Sequence, residues 1–153
     1  MMIQSISPRI ITLLLSQLGL EQSPLTTPSG MSCTLSVGDI DIELTESDAH
    51  CLTMQCYPGV LIEPSMATLS TLLAENQYQE NLPVISVGLL PEAPGNVMIW
   101  SRMVSGEASA AMLGYWFACF NERAQALHGW LDAGAPALMP MDGNTHQPSL
   151  GLH

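Results

Sequence analysis

The sequence predicts an α+β domain in which three helices pack on an antiparallel sheet of about five strands, in the order α-β-β-β-α-β-β-α. Three observations carry that expectation. Residues 31–44, MSCTLSVGDIDIEL, alternate apolar and polar side chains on both sides of a Gly-Asp pair, so a two-residue turn folds them into a hairpin with one apolar face. Three other stretches, one near the N-terminus, one from Pro64 and one from Ser105, repeat apolar residues at steps of three and four instead. The length, 153 residues, fits one domain large enough to bury a core without metal or disulfide staples.

The first helix is expected to start at Ser7, a capping residue, with Pro8 at the first helical position, where its missing N–H is not needed. Ile10, Ile11, Leu14, Leu15 and Leu18 follow at helical spacing, Leu13 widens the stripe and Gly19 can end it. Residues 21–30, EQSPLTTPSG, carry two prolines and read as a loop. In the hairpin, Val37 should face Ile40, Leu35 should face Ile42 and Cys33 should face Leu44. Ser36 with Asp41 and Thr34 with Glu43 then take the solvated face.

TESDA at 45–49 reads as a turn, and HCLTMQCY as a third strand with Leu52, Met54 and Cys56 on one side, ended by Pro58 and Gly59. Pro64 opens a second helix, PSMATLSTLLAEN, with Met66, Leu69, Leu72 and Leu73 as its apolar positions and Asn76 able to stop it. VISVGLL and VMIWSRM read as the fourth and fifth strands around the turn-rich PEAPGN; the second of them has a mixed pattern that leaves its buried face open. Ser105 is expected to cap the last helix, with Glu107 in the first turn where the dipole favours an anion. Ala110, Leu113, Phe117, Phe120, Ala124, Leu127 and Leu131 form its core stripe. Met112, Trp116 and Cys119 lie on a neighbouring face, so AAMLGYWFACF is apolar nearly all round. A helix of that kind is covered on two sides, and Trp116 with Met112 is expected to make a second contact, within a dimer or beside it. Gly134 can end this helix. The domain is therefore drawn as 1–134, and 135–153, with three prolines and no periodicity, as a flexible tail.

Composition narrows function. Three arginines, Arg9, Arg102 and Arg123, with no lysine, stand against 14 acidic residues, a net charge of −11. Nucleic acid and anionic membrane surfaces, which are bound through clustered Lys and Arg, are not expected partners. An acidic surface suits basic polypeptides or simply solubility. Cys33, Cys51, Cys56 and Cys119 form no CxxC pair and read as reduced thiols of a cytosolic protein. The N-terminus lacks the basic region of a signal peptide, and no apolar run reaches the roughly 20 residues a spanning helix needs. GxSxG, Walker, GxGxxG and HExxH patterns are absent, and His50, His128, His146 and His153 have no ligand spacing. Asp39, Asp41 and Glu43 make a flat row along one strand face, not the wrapped loop that calcium prefers. No catalytic residue, cofactor or metal is expected. Ten methionines offer adaptable apolar surface as well as core filling.

In this order the pieces resemble the class I chaperones of bacterial type III secretion, the family typified by the Tir chaperone. The resemblance runs from about residue 7 to 133, through ITLLLSQLGL, SGMSCTLSVGDIDIELTE, HCLTMQCYPGVLIEP, TLSTLLAEN and GYWFACFNERAQALHGWL. It implies a cytoplasmic bacterial homodimer that binds the N-terminal chaperone-binding segment of secreted effector proteins, keeps it extended and helps deliver it to the secretion apparatus without hydrolysing ATP. The family's second helix and following strands contribute to dimerisation, which points to Leu69, Leu72, Leu73 and Trp100. Its first helix and sheet contribute apolar grooves, which points to Leu13, Leu14, Ile42 and Met54 as partner-binding residues. Two alternatives stay open: a small-molecule-binding or enzymatic α+β domain, and an anti-activator-type protein on the same scaffold whose partner is a transcription regulator.

Overall fold

The computed structural model describes residues 9–47, 51–76, 82–104 and 109–136. Its elements are α1 (Ile10–Gln17), β1 (Leu25–Thr27), β2 (Gly30–Val37), β3 (Ile40–Ser47), β4 (Cys51–Val60), α2 (Met66–Ala74), β5 (Ile85–Leu89), β6 (Asn96–Val104) and α3 (Ala110–Asp132). The order is α-β-β-β-β-α-β-β-α, an α+β fold as expected, with one strand more than the sequence suggested. All six strands are antiparallel and lie side by side as β1-β2-β3-β4-β6-β5.

The β2–β3 hairpin has the expected register: Val37 pairs with Ile40, Leu35 with Ile42 and Cys33 with Leu44. Gly38, at φ 62°, supplies the left-handed first position of the two-residue turn. Ser36 Oγ donates to Asp41 Oδ1 (2.7 Å) on the solvated face, and Gln55 Nε2 donates to Glu43 Oε2 (2.8 Å). The opposite face is the core. Cys33, Leu35, Ile40, Ile42, Leu44, Leu52, Met54, Cys56, Val97, Ile99 and Met103 are buried on it, beneath the apolar stripes of α1 and α3. The ambiguity of β6 is settled: Val97, Ile99, Ser101 and Met103 face the core, while Trp100, Arg102 and Val104 face out.

Several boundaries differ from expectation. β1 lies inside the segment read as a loop; three residues between two prolines are too few to show an alternation. β3 continues to Ser47, through residues read as a turn, because Glu46 keeps the inward parity of Ile40, Ile42 and Leu44. β4 passes Pro58 and Gly59 and ends at Val60. Its ladder shifts register between Cys56 and Gly59, so the missing N–H of Pro58 falls where no ladder bond is required. α1 begins at Ile10 after Arg9 and has no side-chain cap of its own; Ser7 and Pro8 lie outside the described residues. α2 begins at Met66, not at Pro64, because Ser65 and Thr68 form a reciprocal capping box. Ser109, not Ser105, caps α3, by accepting from the Met112 N–H (3.2 Å), and Ala110 is exposed. Ser105 and Glu107 lie outside the described residues, as does His50.

Trp116 corrects the reading of AAMLGYWFACF. It is fully buried, and its Nε1–H donates to Ser101 Oγ (2.9 Å), which in turn donates to the Val84 carbonyl (2.8 Å). The indole therefore joins α3 to β6 and to the segment entering β5, and reaches no outside partner. Met112 is partly buried against the same core. The residue of this stretch that faces solvent is Tyr115, at 60% exposure.

Candidate functional site: two exposed apolar surfaces

α2 is unusual in which face it buries. Thr68, Thr71, Leu72 and Glu75 point inward, at spacings of three and four. Met66, Leu69 and Leu73 form a second stripe on the other side; Met66 is 81% and Leu73 71% exposed, and Leu69 is half-buried. The more apolar stripe thus faces solvent and the threonine-rich stripe faces the protein. Reversed amphipathicity of this sort leaves surface that another molecule can cover. Of the residues expected at a dimer interface, Leu69 and Leu73 lie on this outer stripe. Trp100 is 37% exposed on the outward face of β6, with its ring over Gly88 of β5. Leu72 is 4% exposed and belongs to the core, which removes it from any surface.

The end of α2 also finishes the sheet. Asn76 donates from Nδ2 to the Val87 carbonyl (3.0 Å) and accepts from the Val87 N–H at Oδ1 (2.7 Å), so one side-chain amide pairs with the outer backbone of edge strand β5. Arg123 of α3 donates to the Glu75 carbonyl (2.8 Å), tying α2 to the long helix. Burial raises the pKa of the Glu75 carboxyl, and the Arg123 charge partly offsets it.

The second surface is the opposite margin of the sheet. β1 pairs with β2 only along Gly30–Ser32, and no strand among the described residues pairs with Cys33–Val37 on that side. Gln22 Nε2 donates to the Thr34 carbonyl there (3.1 Å), an exposed side-chain bond. Leu20 and Leu25 are exposed beside this margin. Leu13 is half-buried on α1. Leu14, Ile42 and Met54, expected to line a groove, have no solvent exposure and are core residues; alternation and helical spacing identify which residues share a face, but not whether that face is already covered.

Sequence reasoning missed two side chains that shape these surfaces. Glu46 is fully buried and accepts the Ile11 N–H at Oε1 (2.8 Å), and Arg9 Nη1 donates to the Ser47 carbonyl (3.3 Å), so β3 supplies the cap that α1 lacks. The signal was present as the parity of residues 40, 42, 44 and 46. Asn76 read only as a helix stop, and nothing local indicates its bond to β5. Asp39, Asp41 and Glu43 lie on the outer side of the hairpin and its turn, and no group of three or more His, Cys, Asp or Glu among the described residues is placed to hold a metal ion. His128 Nδ1–H donates to the Pro58 carbonyl (2.8 Å), a bond that ties α3 to the bulge of β4. No helix among the described residues is long and apolar enough to cross a membrane.

No family model and no curated protein sequence matches the chain. Solved structures do match in fold. The type III secretion chaperone SycH of Yersinia pestis, crystallised with a fragment of YscM2, gives a match with TM-score 0.60 and 18% identity, covering 75% of this chain and 93% of that one. A chain of the ExoT–SpcS complex of Pseudomonas aeruginosa matches with TM-score 0.57 and 21% identity, over 76% of this chain and 92% of that one. One from the HopA1–SchA chaperone–effector complex matches with TM-score 0.59 and 16% identity, over 78% and 93%. The fold is that of these secretion-chaperone structures.

Proposed function

We propose that the chain is a type III secretion chaperone of the class I kind, a homodimer that holds the N-terminal chaperone-binding segment of one or more secreted effectors extended and competent for export. The observation that carries this reading is the fold, shared over three quarters of the chain with chains from chaperone complexes. Two features of the surface support it. The outer stripe of α2, Met66, Leu69 and Leu73, suits a second copy, with Trp100 as a further point of contact. The open margin of β2 suits an extended segment, whose backbone can bond along Cys33–Val37 while its side chains reach Leu13, Leu20 and Leu25. Recognition through many backbone bonds tolerates varied partner sequences, and a segment that is disordered when free can wrap such a margin. On this reading the protein works by binding in the bacterial cytoplasm, with no catalytic residue and no nucleotide.

The test is a tagged pull-down from a lysate of the source organism, with bound proteins identified by mass spectrometry and the contact mapped by truncation. Capture of a secreted protein through its N-terminal segment is the expected result. Capture of a transcription regulator instead points to the anti-activator reading. A folded preparation that retains no protein segment overturns both.

A further inference from the structure

Past the end of α3 the chain does not leave the body. Ala133 closes the helix, Gly134 adopts φ 90° and Ala135 adopts φ 50°, two successive left-handed residues of which the second carries a Cβ. A non-glycine residue in that region is disfavoured and persists where its surroundings enforce it. Here the Gly134 N–H donates to the Leu131 carbonyl (3.0 Å), the Ala135 N–H to the Trp130 carbonyl (2.8 Å) and the Trp130 indole N–H to the Pro136 carbonyl (3.1 Å). Ala135 is buried at 8% exposure. The chain is thus turned back and held through Pro136.

It is turned toward a groove. A cleft of about 560 Å³ lies between the end of β4, the start of α2 and the end of α3, lined by the apolar Val60, Leu61, Ile62 and Leu131 and by the polar Glu63 and Thr68, with Ala135 and Pro136 at its rim. Ile62 is 81% exposed and Val60 about half exposed. Residues 137–141, which follow directly, read ALMPM. Leu138 and Met139 lie two and three residues beyond Pro136, within about 10 Å of chain at roughly 3.3–3.6 Å per residue.

We propose that this groove is the docking site of the chain's own residues 137–141, with Leu138 and Met139 covering Val60, Ile62 and Leu131. Three observations favour the chain's own segment over a separate partner. The tether starts on the groove's rim, which gives an effective concentration that a free partner does not reach. The segment carries no charge, and Asp142 is the one acidic side chain in 137–153, so it meets little repulsion in a chain of net charge −11. The left-handed pair and the indole bond have already fixed the direction of approach, so part of the ordering cost of docking is met within the fold. This inference does not depend on the identity of the protein's partner.

Amide spectra of the ¹⁵N-labelled full chain provide the test. In L138S/M139S, shifts are expected at Ile62, Glu63, Thr68 and Leu131, unchanged over a tenfold range of protein concentration. The reciprocal variant I62S should move the amides of Leu138 and Met139. Shifts confined to residues 134–142 in the first variant, with none in the tail in the second, overturn the proposal. Groove shifts that appear only as concentration rises also overturn it, since they assign the groove to a second copy.

Discussion

Glu46 stands at the core-facing end of an alternation that otherwise carries apolar side chains, and a carboxylate in that place needs a partner. Its partner is the start of α1: the Ile11 N–H, a first-turn donor with no acceptor inside the helix, reaches Oε1. Because Arg9 offers no side-chain cap to α1, Glu46→Ala is expected to destabilise the fold by about 1–2 kcal/mol, the range of a lost N-cap. Glu46→Gln, which keeps an acceptor, should cost less; urea denaturation of the three proteins measures the order. Cys56 behaves differently. Burial, and then the carboxylates of Asp41 and Glu43, push its thiol up from the ordinary 9.0 to about 11. Since the folded value lies above that of the unfolded chain, the stabilisation from a protonated thiol is complete below pH 9 and is lost as pH climbs toward 11. Relative to Cys56→Ala, the parent chain should lose up to about 3 kcal/mol as pH rises past the folded value, from two pKa units at about 1.4 kcal/mol each. Equal pH profiles for the two proteins would sink the assignment.

At the scale of elements, what the sequence made legible follows from period. The β2–β3 register could be read residue by residue because a turn signal and a strict alternation agree, and a slip by one would expose every apolar residue. Helix ends set by glycine were legible for the same reason: Gly19, at φ 73°, closes α1 as expected. What was not legible depends on contacts distant in sequence. Serines compete as caps, and only the tertiary path selects Ser109 over Ser105. Periodicity made Trp116 and Leu72 apolar positions without saying which of two apolar faces is covered. The structure places Trp116 inside, so Trp116→Ala should cost roughly 3–5 kcal/mol as a large-to-small core change. Trp116→Phe, which removes chiefly the indole bond to Ser101, should cost about 1 kcal/mol and leave the oligomeric mass unchanged. Thermal denaturation and light scattering read the two quantities separately.

For the whole molecule, the two exposed apolar surfaces lie on different elements and have different chemistry. The outer stripe of α2 offers side chains, whereas the margin of β2 offers backbone. A variant on one should therefore spare the other. Leu73→Asp places a charge on a stripe proposed to be buried in a dimer, and is expected to weaken dimerisation by on the order of tenfold or more while the protomer stays folded. Light scattering at falling concentration should show the 16.4 kDa protomer earlier than for the parent chain. If the mass profile does not change, the α2 stripe is not the dimer contact.

The side chain of Asn76, bonded to both backbone groups of Val87, bears on assembly. In an antiparallel edge strand the outward backbone groups fall on alternate residues, and Val87 is the middle residue of the five in β5. Linear edge-to-edge polymers need two sticky margins per unit, one to give and one to receive. With Asn76 plugging the centre of one margin, a guest strand docked beside β2 as proposed above would not be passed on to a further copy. Asn76→Ala would reopen the second margin and leave the sheet with two edges free to pair, the condition for growth as a filament.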